Sequence, residues 1–230
     1  GAVRNYVHAG GRAWTNSTAQ VGGNTNLEIT GGTIGNEIWG GGIARNGNSS
    51  ANVGGSSIVS ISGNAEVKGS VYQSGSITYD EGYHDTSDDN GNSATVGAGS
   101  SITIGGGVKI GGTGKGIMIN GGSPTEVKTG AASFVIGSDL AEGASVNVQL
   151  PAGYDVTSTP TIATDAVDTD LAKIKLVGDG AEGNEAYFDG NDNTIKVRET
   201  VIVPAHTHAM SVDCSATEWT QVTFDKALTS

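Results

Sequence analysis

A single cysteine, Cys214, stands among 230 residues, so no intrachain disulfide can form and no disulfide framework shapes the fold. Aromatics are nearly as scarce, at 3 Phe, 3 Trp and 6 Tyr. The apolar residues that remain are mostly Val, Ile and Ala, which suit a pleated surface and argue against a helical bundle. Positive charge is short as well: 12 Lys and Arg face 24 Asp and Glu, for a net charge of −12. A chain so charged repels phosphate backbones and anionic lipid, which excludes nucleic acid and membrane surfaces as partners. No apolar run approaches the ~20 residues needed to span a bilayer. The opening GAVRNYVHAG carries no signal-peptide core, as expected if a leader has been removed or if the chain is an excised piece.

Glycine is what the chain has in abundance, 38 residues of it, and its placement is periodic. Aligning Val21, Val53 and Val96 superposes VGGNTNLEITGG, VGGSSIVSISGN and VGAGSSITIGGG, so that Leu27/Ile29, Val59/Ile61 and Ile102/Ile104 share offsets. The intervals are 32 and 43 residues. A half copy precedes them, with NYVHAGGRAWTNSTAQV matching EIWGGGIARNGNSSANV at the same 32-residue offset, so the array is expected to begin at or before Gly1. Each copy alternates apolar and polar residues over short stretches bounded by Gly-Gly, Asn-Gly and Ser-rich corners, which predicts strands such as 27–29 and 37–39 and no helix between them. Repeats of this kind stack, each coil templating the next, with Val over Val and Ile over Ile filling a narrow core. The 11 additional residues of the third copy fall in SITYDEGYHDTSDDNGNS and should loop out from one corner.

Alternation persists through Leu150. Pro151 then opens a Thr/Asp-rich connection, PAGYDVTSTPTIATDAVDTD, in which Pro160 breaks the ladder, and LAKIKLVGDG, NEAYFDGND and NTIKVRETVIV read as a small meander that shields the last coil from edge pairing. The expected organisation is a β-helix repeat domain over 1–150, a capping β meander over 151–203, and a linker or the start of a following module over 204–230.

The phrase ITGGTIGNEIWGGG resembles the Gly-Gly-Thr-Ile and aromatic-Gly-Gly-Gly repeats of large adhesin-like surface proteins of gut anaerobic bacteria. Residues 101–198, from SITIGGGVKIGG through ASVNVQLPAGYDV to NDNTIKV, are similar to the unit that closes their Gly-rich β-helices. The resemblance covers about residues 1–200 and implies an all-β, right-handed parallel β-helix (β-solenoid) of pectin-lyase-like type with a small C-terminal β cap. It implies an extracellular setting, at the cell surface or cell wall, within a larger multidomain protein, and carries no catalytic residues. The tail AHTHAMSVDCSATEW resembles module boundaries of such proteins.

Chemistry is sparse. Polysaccharide hydrolases on β-helices need paired carboxylates on one face, and Asn-Thr-Asp, Gly-His-Gly and Arg-Ile-Lys motifs are all absent. A lyase needs a basic residue beside a calcium-bound uronate, and Arg12 and Arg45 fall near corresponding positions of successive coils, offset by one. The reading is that the chain is not an enzyme and that both arginines decorate solvated corners; a polysaccharide lyase or hydrolase is the alternative. Asp80, Glu81, Asp85, Asp88 and Asp89 crowd the third-copy insertion. Such a run usually just hydrates, but oxygen-rich loops are also what calcium takes, so Asp85, Asp88 and Asp89 are the candidate calcium ligands and no other cofactor is expected. Asp189–Asn193 reads as a turn. His206, His208 and Cys214 can ligate zinc but fall short of the four ligands of a structural site.

Aromatic placement carries the remaining hint. The repeat alignment puts Val7, Trp39 and Tyr72 in one column and Tyr6, Ile38 and Val71 in the next, so the two columns face opposite ways. With the aliphatic column inside, Trp39 and Tyr72 form an exposed stripe for stacking on sugar rings; with the faces inverted, they belong to the core. Trp39, Tyr72 and Trp14 are the candidate ligand-binding residues. The expected function is a non-catalytic adhesive surface or rigid spacer contacting a host or microbial glycan or surface protein, with a purely structural stalk as a further alternative.

Overall fold

Val21, Val53 and Val96 do stand one above another: Val21 pairs with Val53 in a parallel ladder, and Val53 bridges Val96. The computed structural model, which describes residues 1–77, 91–119 and 131–200, is a β-solenoid of about 5 turns, 51% strand and 4% helix. Gly1–Thr200 form one compact unit.

The first coil runs through β1 (Ala2–Val3), β2 (Val7–His8), β3 (Arg12–Trp14), β4 (Thr18–Val21) and the start of β5 (Thr25–Ile34), whose far end climbs onto β1. The second repeats the path in β6 (Ile38–Trp39), β7 (Ile43–Arg45), β8 (Ser50–Val53) and β9 (Ser57–Val67), each parallel to its counterpart below. Above them come β10 (Val71–Tyr72), β11 (Ser101–Gly106), β12 (Lys109–Ile110), β13 (Ile117–Met118), β14 (Phe134–Leu140) and β15 (Ser145–Gln149). Register carries the same residue type upward from coil to coil. Val3, Ile34, Val67, Ile110, Val146 and Ile174 are successive partners in one column. Val7, Ile38, Val71, Ile117, Val148 and Leu176 make a second, and Ile29, Ile61, Ile104 and Ile136 a third. β-Branched residues dominate because each must pack against its own kind one strand away. All but the exposed Val3 belong to the main core or pack against it.

A second, thinner body projects from the first. Strands β3 and β7 make one small sheet and β4 and β8 another, and the space between them is filled by Ala13, Ala44, Ala51, Ala94 and Ile77, with Ala19 against them. Glycine sets this thinness: a Cβ on Gly42 would lie 2.9 Å from the Cβ of Ala51, and one on Gly75 would lie 2.9 Å from that of Ala94. The two layers therefore approach more closely than the ~10 Å of ordinary sheet packing. Each corner at the tip turns through a pair of left-handed residues, Thr15 and Asn16 (φ 50° and 55°) in the first coil and Asn46 and Gly47 (φ 56° and 75°) in the second.

The C-terminal part differs from a simple meander. β16 (Thr161–Thr164) pairs β14 in parallel, and β17 (Ile174–Val177) pairs β15 in parallel, so both extend the coils. Antiparallel pairing begins with β18 (Asn184–Asp189) against β19 (Thr194–Glu199), and β19 folds back along β16. Asp168–Leu171 forms a single helical turn, α1, inside the segment that the sequence presents as an irregular connection.

Candidate functional site

The register around the aromatics is one residue away from the sequence alignment. Val7 pairs Ile38 and His8 pairs Trp39, an offset of 31 residues, and only beyond the tip corner does the offset become 32, at Thr18 and Ser50. The second coil spends four residues, Asn46–Ser49, on the corner that the first coil turns in three, Thr15–Ser17. The column is therefore His8, Trp39 and Tyr72, not Val7, Trp39 and Tyr72.

The exposed stripe does not hold, and the aromatics belong to the core. Trp39 is 0% and Tyr72 5% exposed. The reason is that β6 and β10 bury both faces: Ile38 and Val71 look into the main core, while Trp39 and Tyr72 pack with Ile43, Tyr6 and Met118 in a separate cluster. The chain enters β7 from β6 through Gly40, Gly41 and Gly42, and Trp39 and Ile43 lie on either side of that bend. Tyr6 stacks on Trp39 with ring centroids 5.0 Å apart and planes 22° from parallel. A ligand has no access to Trp39 or Tyr72: both are core residues and not, as the sequence suggests, candidate ligand contacts.

Trp14 is different. It ends β3 at the tip of the thin body and is 42% exposed. Ser17 holds the backbone beneath it, its Oγ accepting from Trp14 N–H at 2.7 Å and lying 2.7 Å from Trp14 O. Two guanidiniums approach the ring, that of Arg12 at 4.6 Å and that of Arg45, from the coil above, at 5.2 Å. Arg12 is exposed, whereas Arg45 is only 6% exposed. The arginines that the sequence leaves on solvated corners are thus joined through an indole, an arrangement worth about 0.5–1 kcal/mol per exposed contact. The signal was present in the Arg-x-Trp spacing, which places both side chains on one face of a strand.

Outward from the other layer, polar side chains stack in register: Thr95 Oγ1 donates to Asn52 Oδ1 at 2.9 Å, and Ser93 Oγ to Ser50 Oγ at 3.1 Å. A cavity of about 250 Å³ lies beside them, lined by Gln73, Ser74, Ala94, Thr95, Val96, Ala98 and Ser100.

The carboxylates divide into structural groups. Asp170 is fully buried, its two oxygens accepting from Leu140 N–H and Val167 N–H at 3.0 Å each, with Lys173 Nζ 3.8 Å away. Lys173 also donates to Leu140 O, so this pair fastens α1 to β14; the sequence signal was the i, i+3 spacing, hidden by the shortness of the helix. In the β18–β19 turn, Lys196 reaches Asp189 at 2.7 Å and Asp192 at 2.9 Å. The Lys196 bond, then the Asn191 N–H, hold the Asp189 carboxyl below its ordinary range. The Thr194 hydroxyl, then Lys196, do the same for Asp192, and both carboxylates raise the Lys196 ammonium. DGNDN thus forms a clamped turn. Asp155 is likewise lowered, by the hydroxyl and then the N–H of Thr157.

Among the described residues no three His, Cys, Asp or Glu side chains gather as a metal site. The candidate calcium ligands Asp85, Asp88 and Asp89, and the tail residues His206, His208 and Cys214, lie outside the described residues.

Compared with known proteins, the chain matches no protein-family model, no curated protein and no solved structure.

Proposed function

We propose that this chain is a non-catalytic β-solenoid module of a bacterial surface protein, working outside the cell as a rigid spacer with an adhesin-like tip. The observation that carries this reading is the pair of six-member columns, Val3 to Ile174 and Val7 to Leu176, that run through every coil without a change of residue class. Interdigitated, β-branched columns of this length favour one stiff conformation, since packed interiors resist deformation. The extracellular and bacterial setting rests on the resemblance carried by ITGGTIGNEIWGGG and by residues 101–198.

The adhesive part of the reading is favoured by Trp14, which offers partly open ring surface beside the exposed Arg12. A host or microbial glycan, or a surface protein, would meet the indole by stacking and the guanidinium by hydrogen bonding. Screening the purified chain on a glycan array, with and without calcium and with cleavage products assayed in the same wells, tests this directly. Binding without cleavage that is lost in Trp14→Ala supports the adhesive tip. Cleavage would overturn the non-catalytic reading in favour of a polysaccharide-degrading enzyme, and binding unaffected by Trp14→Ala would remove the tip from it.

A further inference from the structure

The thin body is shorter than the main one. Its outer layer is built from β4, β8 and a third run, 93–96, which bridges β8 at Ser93 and Val96. The main ladders go on above that level, through β11, β14 and β16 along one path and β12, β15 and β17 along another. The cavity of about 250 Å³ lies at this step, between Gln73, which follows β10, and the run that leads from Ala94 into β11. Ser93, Thr95 and Gly97 turn their backbone groups to the coil below: Ser93 N–H donates to Ser49 O at 2.9 Å, Ser93 O and Thr95 O accept from Ala51 and Val53 N–H at 2.8 and 2.9 Å, and Gly97 N–H donates to Val53 O at 2.8 Å. Backbone groups along a strand point to alternate sides. Ala94 and Val96, which line the cavity, therefore direct their N–H and C=O away from that coil, and among the described residues nothing bonds them. The Gln73 carboxamide is likewise without a hydrogen-bond partner among the described residues. No charged side chain lines the cavity.

We propose that this cleft binds a single neutral sugar ring. Each property of its lining removes another class of ligand. An ion would lose its hydration and meet no opposite charge. A purely apolar molecule would bury the Ala94 and Val96 peptide groups without partners, which is the costly way to desolvate them. A peptide strand needs a longer edge: strands run 3–10 residues, and this edge presents the outward groups of Ala94 and Val96 only. A pyranose meets all the conditions. Each of its hydroxyls both donates and accepts, which suits backbone N–H and C=O groups in alternation and a carboxamide that offers one of each. Its C–H face can lie on the methyl groups of Val96 and Ala98, in the usual combination of apolar walls with a few placed polar groups. Size agrees, since about 250 Å³ falls just under the roughly 300–1,000 Å³ of drug-sized pockets. The cleft belongs to the third coil and Trp14 to the first, so the inference stands apart from the adhesive tip.

Titrating the full chain with the methyl glycosides of glucose, galactose, mannose and N-acetylglucosamine, followed by amide NMR, tests it. The expected result, with at least one of these probes, is a saturable shift at the Ala94 and Val96 N–H and at the Gln73 side-chain amide, half complete in the millimolar range. Gln73→Leu is expected to weaken binding about tenfold, the loss of one well-made hydrogen-bonded contact. Ala98→Phe, at an exposed position, should fill the cleft and abolish the shifts as a second variant. Trp14→Ala should leave them unchanged, so failure of the adhesive tip and failure of this site are read separately. No saturable shift with any probe up to about 100 mM, far weaker than specific binding, overturns the inference, and so do shifts that survive both Gln73→Leu and Ala98→Phe. Ala94 and Val96 amides already protected from hydrogen exchange in the free chain would also overturn it, since another segment then holds the edge. A capped tetra-alanine peptide that shifts these amides where the glycosides do not would assign the edge to a peptide strand instead.

Discussion

Replacing Trp39 by alanine removes the largest side chain that is wholly buried in the described structure. Its neighbours are fixed from several directions: Tyr6 from the first coil, stacked at 5.0 Å, Tyr72 from the third, and Ile43 and Met118 around them. None of these can collapse into the space without disturbing a ladder, because Trp39 itself lies in register with His8 below and Tyr72 above. Buried Phe or Trp to Ala changes cost about 3–5 kcal/mol when the site relaxes only partly, and for a body of about 200 residues each kcal/mol lowers Tm by roughly 2–4 °C. Trp39→Ala is therefore expected to lower Tm by about 6–20 °C. Trp14→Ala, at a 42% exposed position, gives up guanidinium contacts of about 0.5–1 kcal/mol to the exposed Arg12 and about 2 kcal/mol to the buried Arg45, and is expected to lower Tm by less than Trp39→Ala does. Thermal unfolding followed by near-ultraviolet circular dichroism, run on both variants in parallel, checks the ranking. A Trp39→Ala protein as stable as Trp14→Ala would refute the buried placement of Trp39 and restore the exposed stripe.

Gly75→Val presses a branched side chain onto the Gly42 carbonyl of the coil below and to 2.9 Å from the Ala94 Cβ; overpacking of this kind costs about 1–3 kcal/mol, and a urea midpoint unchanged from the parent would show that the coils and layers are not packed closely there. The Asp189–Asp192–Lys196 clamp gives a pH window. Both carboxyls are lowered in the folded chain, so their contribution is present above the unfolded carboxylate pKa of about 3.9 and is lost as pH falls through the folded values. Lys196 is raised, so its contribution is complete below the unfolded lysine pKa of about 10.4 and fades as pH rises through the folded value. Carboxyl carbon titration by NMR should place both aspartate midpoints below about 3.9 in the parent chain; Lys196→Met should raise the Asp189 midpoint more than that of Asp192, which the Thr194 hydroxyl still holds down, and an unmoved Asp189 midpoint would refute the clamp.

Much of the stacking was legible because alternation and corner spacing agree. Leu27 over Val59 over Ile102, and Ile29 over Ile61 over Ile104, are paired as the offsets of 32 and 43 residues demand. The error at Trp39 came from a corner: one extra residue in Asn46–Ser49 changes the offset from 31 to 32, and no apolar residue in that corner marks the change. Which face of β6 is buried could not be read either, since alternation assumes one wet side, and the Gly40–Gly42 bend supplies a second dry one. Strand direction is equally silent in composition. Ile174–Val177 reads like the hairpin strands that follow it, yet it is parallel to β15 because its residues complete two columns begun at Val3 and Val7. Trp14 stands out in the sequence by residue type alone, while its second arginine neighbour, Arg45, comes from the coil above and meets it only once the coils stack.

The direction of the ladders has a mechanical meaning. Hydrogen bonds between successive coils point along the stack, so a pull from the first coil toward the β18–β19 hairpin loads them in series, and they open one coil at a time. A pull along the strands loads the same bonds side by side, in shear, and must break many at once. Releasing one coil of 32 residues would pay out roughly 100 Å of extended chain at ~3.3–3.6 Å per residue. Under axial tension the module would lengthen in steps and take up sudden load, while sideways it would hold its shape.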